Sequence, residues 1–222
     1  MKFNPFAENK IPSVSMFSKK FPEKKSIVAS LEEVDTLDEK YGIKEYLGEK
    51  MNYEARKFFG ELAAQIGENE ARDFLPSSGG FSIISEEGEL TRLVCAGLSM
   101  NYLPALPSDL KEIDCQKTSI TTFPELHEGL EWLHCPNNAK LSMLPNLPKS
   151  LKKFNCGNSL VATLPELPQN LEILAVHKTA IEALPNIPDS LLTLSCTDSP
   201  LAKDTVYLNQ LGHDKPLIKI TA

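Results

Sequence analysis

LPALPSDLKEIDCQKTSITT (103–122), FPELHEGLEWLHCPNNAKLSM (123–143), LPNLPKSLKKFNCGNSLVAT (144–163), LPELPQNLEILAVHKTAIEA (164–183) and LPNIPDSLLTLSCTDSPLAK (184–203) are five variants of one pattern. Their lengths are 20, 21, 20, 20 and 20 residues. A degenerate forerunner, ELTRLVCAGLSMNY (89–102), supplies the strand half of an earlier coil. A fixed period in this range marks a solenoid, where each unit buries its apolar face only against its neighbours.

Within a coil the column pattern is L-x-x-L-x-C-x-x-[T/S/N]-x-L, as in Leu110, Ile113, Cys115 and Ile120. Leu130, Leu133 and Cys135 repeat it, and so do Leu151, Phe154 and Cys156. Alternation at Ile113 and Cys115 predicts a short strand with those two side chains inward. One such strand per coil builds a parallel sheet along a concave side. Nine of the 16 prolines belong to the LPxLP element. Each fixes φ near −65° and lacks an N–H donor. Two prolines three residues apart favour polyproline II, so the return path is expected to be extended rather than helical. A helix is about 10 Å wide, whereas adjacent strands sit about 4.8 Å apart, so thin returns allow a flatter array. The predicted fold is an α/β repeat solenoid. It is a leucine-rich repeat with a parallel β concave face, polyproline-II-like convex returns and an N-terminal α-helical cap.

All five cysteines (Cys95, Cys115, Cys135, Cys156 and Cys196) fall on one column, where Val176 replaces the thiol once. That placement reads as a ladder of small buried apolar groups in a reducing compartment. A ladder does not offer tetrahedral ligand clustering, so no metal site is expected. The short polar column Thr118, Asn138, Ser159, Thr179 and Ser199 is expected to hydrogen-bond the turn backbone.

Residues 27–75 read as helical. Ser30 and Glu33 form a capping box ahead of Leu31, Val34 and Leu37. Gly42 interrupts the pattern, and Ile43, Tyr46 and Leu47 resume it. Asn52 opens a stronger helix whose Ala55, Phe58, Phe59, Leu62, Ala63 and Ile66 share one face, with Gly67 as its stop. The bland role of this region is to cover the apolar end of the solenoid; a separate activity of its acidic surface is the alternative. Phe81, Ile83 and Ile84 are read as a strand before the first coil. Val206, Leu208 and Leu211 fit a short helix and residues 217–220 a terminal strand, which together cap the other edge. The expected division is a basic leader at 1–26, a helical cap and linker at 27–80, a solenoid of about six coils at 81–203, and a C-terminal cap at 204–222.

Charge narrows the function. The 222 residues carry a net charge of −7, which argues against a nucleic-acid partner. Residues 1–30 carry +4, residues 31–89 −9 and residues 90–222 −2. The leader has no apolar h-region and no small-residue cleavage site, so it is not a classical export signal. No apolar run approaches the ~18 residues of a membrane span. No P-loop, GxGxxG, HExxH or Ser-His-Asp arrangement occurs, so the expectation is a non-enzyme with no catalytic residue and no cofactor.

Outward-facing strand positions are where a partner is expected. One column is Arg92, Glu112, Trp132, Lys153, Ile173 and Thr193. The next is Val94, Asp114, His134, Asn155, Ala175 and Ser195. A third is Ala96, Gln116, Pro136, Gly157, His177 and Thr197. From these the candidate partner-binding residues are Glu112, Asp114, Trp132, His134, Lys153, Asn155, Ile173, His177, Thr193 and Ser195. Trp132, the single tryptophan, is the candidate anchor with a polar rim of Glu112, Asp114, Lys153 and Asn155. The competing reading is that it merely packs on its sheet neighbours.

The 20-residue coils, the LPxLPxxLxxL core and the closing DSPLAKDTVYLNQL (198–211) resemble the LPX-type bacterial leucine-rich-repeat effectors, the YopM and IpaH group. The likeness covers roughly residues 89–211. It implies a helical cap before the repeats, delivery into the host cell by a specialised secretion system and a host protein as partner; the N-terminal leader weakly favours a type III route. It also implies a secretion chaperone for the leader. One branch of that family adds a ubiquitin-ligase domain with a catalytic Cys in a C-x-D motif. Here Cys196-Thr197-Asp198 spells C-x-D, yet Cys196 falls on the repeat column. The residues after the last coil are too few for that domain. The leading expectation is therefore a secreted, non-enzymatic binding module acting on a host protein. The alternative is the substrate-recognition part of a ubiquitin-ligase effector whose catalytic domain is absent from this chain. A bacterial structural or adhesion protein is a third reading.

Overall fold

The computed structural model describes residues 44–222. The leader and the Ser30 capping box with Leu31, Val34 and Leu37 lie outside the described residues. The described chain begins with an antiparallel hairpin, β1 (Lys44–Tyr46) and β2 (Glu49–Met51). This corrects the helical reading of Tyr46 and Leu47. Leu47 and Gly48 both take positive φ, 53° and 89°, the turn geometry that joins two twisted strands through two residues. Turn chemistry overrode a short 3.6-residue pattern.

Helix α1 (Tyr53–Ile66) follows as expected. Asn52 caps it by accepting the Ala55 N–H at 2.9 Å, and Gly67 ends it at φ 99°. Its apolar face buries Ala55, Phe58, Phe59, Leu62 and Ala63, with the two phenylalanine rings edge to face at 5.4 Å. After Gly67 comes a second helix, α2 (Glu68–Arg72). Polar contacts fix the cap to the first full coil. Glu54 accepts from the Ser108 N–H and hydroxyl at 2.7 and 2.9 Å, and Asn52 Nδ2 donates to Asp109 at 3.3 Å. Met51, Phe58 and Leu62 join Leu90 and Leu93 in one continuous core.

The repeats then run through β3 (Ile83–Ile84), β4 (Leu90–Val94), β5 (Glu112–Asp114), β6 (Trp132–His134), β7 (Lys153–Asn155), β8 (Ile173–Ala175) and β9 (Thr193–Ser195). After β9 come α3 (Thr205–Asp214) and β10 (Lys219–Thr221), the helix and strand expected at this end. One sheet holds them in the order β10-β9-β8-β7-β6-β5-β4-β3. β4 to β10 are parallel, and β3 is the one antiparallel edge. Ile83 and Ile84 form the forecast strand, but Phe81 stays outside it, half exposed.

The returns at LPxLP contain no helix. Inward columns are closed: Leu93, Ile113, Leu133, Phe154, Leu174 and Leu194 are all 0% exposed. Each such side chain contributes about 1.5–3 kcal/mol relative to its exposed state. No helix among the described residues is long and apolar enough to cross a membrane.

Candidate concave binding face

Register settles which side chains meet. Arg92 pairs with Glu112, Glu112 with Trp132, Trp132 with Lys153, Lys153 with Ile173 and Ile173 with Thr193. Asp114, His134, Asn155, Ala175 and Ser195 form the second row in the same pairings. Two of the three forecast columns are therefore brought together on one sheet face, with Leu133 and its equivalents turned into the core.

Charge on this face is largely internally committed. Arg92 Nε lies 3.2 Å from a Glu112 carboxylate oxygen. The Arg92 guanidinium also sits over the Trp132 ring, 5.4 Å from its centroid. A partly exposed ion pair and a cation–π contact contribute about 1 kcal/mol each at most, but together they fix the indole orientation. The His134 ring also lies near the indole, 5.9 Å from it at a 46° tilt. Arg92 was not among the sequence-derived site residues. The signal for it was available: a long cation two coils from the tryptophan on one column can bridge over the intervening residue.

Asp114 is not a rim residue. It is 4% exposed, and Gln116 Nε2 donates to both its carboxylate oxygens at 3.2 Å. Strand β5 is only three residues long and ends at Asp114, so the Gln116 side chain folds back over its own coil. Burial lowers the pKa of His134, with His177 adding to the fall and Asp114 opposing it. Burial also lowers that of His177, helped by Lys178. His177 lies against Gly157, where a Cβ would fall 2.2–2.5 Å from three imidazole atoms. The glycine is there because the ring needs the space.

Asn155 is 5% exposed and accepts the Gly157 N–H at 2.9 Å through Oδ1. Toward β9 the face becomes small and uncharged, with Ala175, Thr193 and Ser195.

Behind the face, the cysteine ladder is as forecast: all five thiols are free and buried. Burial pushes Cys156 up to about 12 and Cys196 to about 11, so both are thiols at neutral pH. No group of three or more metal-ligating side chains occurs among the described residues. The polar column serves the turns. Ser159 and Thr179 donate to the carbonyls three residues earlier at 2.6 and 2.7 Å.

A search of solved structures finds YopM from Yersinia enterocolitica at 31% identity and a TM-score of 0.51, covering 63% of this chain. The chain resembles the bacterial leucine-rich-repeat effectors. It spans 33% of that YopM chain, about a third of its length. A Shigella effector LRR domain is also found, at 21% identity and TM-score 0.48, covering 89% of this chain and 98% of that one. YopM from Yersinia pestis follows at 23% identity and TM-score 0.47, covering 64% of this chain and 48% of that one. No protein-family model matches the sequence, and no curated protein does.

Proposed function

We propose that this chain is a bacterial effector module that binds a host protein through its concave leucine-rich-repeat face, without catalysing a reaction. The observation that carries the reading is the Trp132 cluster. The single tryptophan is held on an outward sheet face by Arg92 and His134 instead of being turned into the core. A preorganised aromatic costs little entropy to bury against a partner, which is why interface hot spots favour it. Likeness to YopM over 63% of the chain supports the effector setting. Secretion into the host cell, with residues 1–26 as the signal, belongs to the same proposal.

The test is proximity labelling in host cells with the wild type and Trp132→Ala at matched expression. A set of host proteins lost with Trp132→Ala supports the proposal; identical sets refute it. Translocation assayed for a chain lacking residues 2–25 tests the leader, and normal delivery refutes that role.

A further inference from the structure

The centre of the concave face carries hydrogen-bond donors without acceptors. The Lys153 ammonium has no hydrogen bond or ion pair among the described residues, although Arg92, Lys152 and Lys215 are each paired with a carboxylate. Its register neighbours on the same column are Trp132 and Ile173. Next to it on β7, Asn155 spends its Oδ1 on the Gly157 N–H, which leaves Nδ2 as the outward group. Asn155 as a residue is only 5% exposed, and its Nδ2 makes no hydrogen bond among the described residues. The third donor, Trp132 Nε1, is enclosed and also lacks an acceptor. A buried donor left unsatisfied costs about 1–3 kcal/mol, so native structures rarely keep one without a use.

Resting on the docking role proposed above, we infer that the Trp132–Lys153–Asn155 patch takes the carboxylate of an aspartate or glutamate side chain from a partner segment. An ionised carboxylate is acceptor-only and matches a set of groups that only donate. The net charge of the patch selects a monoanion over a phosphate. Lys153 is the one concave cation without a partner among the described residues, and the guanidinium of Arg92 is already committed to Glu112. Glu112 and the buried Asp114 stand on the neighbouring strand β5 and would repel a dianion. Trp132 on one side and Ile173 on the other supply apolar walls, so the acidic residue is expected beside a leucine or phenylalanine.

The experiment uses the full chain and an array of acetylated, amidated dodecapeptides. Each matched set differs at one position, carrying Asp, Asn or phosphoserine next to leucine or phenylalanine. Wild type is expected to retain Asp members about tenfold or more over Asn members. Lys153→Gln abolishes that preference, whereas Lys153→Arg and the off-face control Lys178→Gln keep it. Addition of a retained Asp peptide shifts the single indole N–H and the Asn155 side-chain amide in ¹⁵N spectra, a readout independent of the substitutions. Equal retention of Asp and Asn, a preference that survives Lys153→Gln, or tenfold stronger retention of phosphoserine overturns the carboxylate site. No retention by the wild type overturns it as well. Trp132→Ala separates the two levels. If it weakens retention while Asp and Asn remain equal, the concave face docks partners but without this chemistry. If retention ignores both Trp132 and Lys153, the docking role itself fails.

Discussion

Asn138 offers the sharpest test of what joins the coils. It is fully buried and makes four hydrogen bonds. Its Oδ1 accepts the Thr118 N–H and the Thr118 hydroxyl, each at 2.7 Å. Its Nδ2 donates to the Cys115 carbonyl at 3.0 Å and to that of Cys135 at 2.9 Å. The side chain therefore stitches the coil of β5 to the coil of β6. In Asn138→Ala the Cys115 carbonyl keeps a donor, because Thr118 Oγ1 also reaches it at 3.2 Å. The Thr118 N–H and the Cys135 carbonyl lose theirs. Two orphaned buried groups at about 1–3 kcal/mol each, less some relief by water, give an expected loss of about 2–5 kcal/mol. Ser159→Ala, on the same column, removes one bond to the Cys156 carbonyl and is expected to cost about 1 kcal/mol. Urea unfolding followed by far-UV circular dichroism measures both, with unchanged m-values as the condition for comparing midpoints. If Asn138→Ala loses no more than Ser159→Ala, the side-chain bridge between coils is not what stabilises this turn.

Four further outcomes are expected. Trp132→Ala leaves the unfolding midpoint within about 1 kcal/mol of wild type but weakens partner binding by about 2 kcal/mol, whereas Leu133→Ala, fully buried, costs about 2–5 kcal/mol of stability; reversed effects would mean the inward and outward faces are assigned the wrong way round. Gly157→Ala costs about 1–3 kcal/mol through the clash with His177, and most of that loss disappears in a His177→Ala background, as a double-mutant cycle in urea will show. The lowered pKa values of His134 and His177 mean that the unfolded chain binds more protons, so their contribution is fully present above about pH 6.5 and is lost as pH falls through the folded values; a His134→Gln/His177→Gln variant should show a flatter stability profile between pH 7.5 and 5. A thiol reagent labels the five cysteines slowly in the native protein and fully in denaturant, and rapid native labelling of Cys196 would contradict its placement.

What could be read from the sequence follows from redundancy. Leu133 and Cys135 belong to columns that recur in every coil, so each inward position is specified several times over and the register of all six repeat strands was legible. The terminal helix and strand were legible for a related reason, since the last coil needs a cover. The hairpin at 44–51 occurs once, and its deciding feature is a two-residue turn at Leu47-Gly48 rather than a period. The site was legible only as a list of outward columns. Its pairings were not, because they depend on which long side chain lies over which. Arg92 bridges to Trp132, and Gln116 folds onto Asp114, only because the neighbouring coils leave those paths open.

The tripeptide Cys196-Thr197-Asp198 shows why column outweighs motif in a repeat protein. Asp198 sits at φ 59°, in the left-handed conformation that Lys117, Asn137, Asn158 and Lys178 adopt at the same step of their coils, at φ 52–61°. Aspartate and asparagine tolerate that region better than most side chains, so an Asp here answers a turn's need. Two residues earlier, the inward column asks for a small apolar side chain, and Cys196 fills it with a thiol that burial holds protonated. Each residue is accounted for by its own column, and the spacing between them is the spacing between those columns. A reactive thiolate needs an exposed sulfur beside positive charge. Cys196 has neither feature among the causes acting on it: burial alone sets its pKa, and burial raises it. Chemistry on this scaffold is therefore to be sought where the columns vary, on the outward face around Trp132 and Lys153, and not where a repeated position happens to spell a familiar motif.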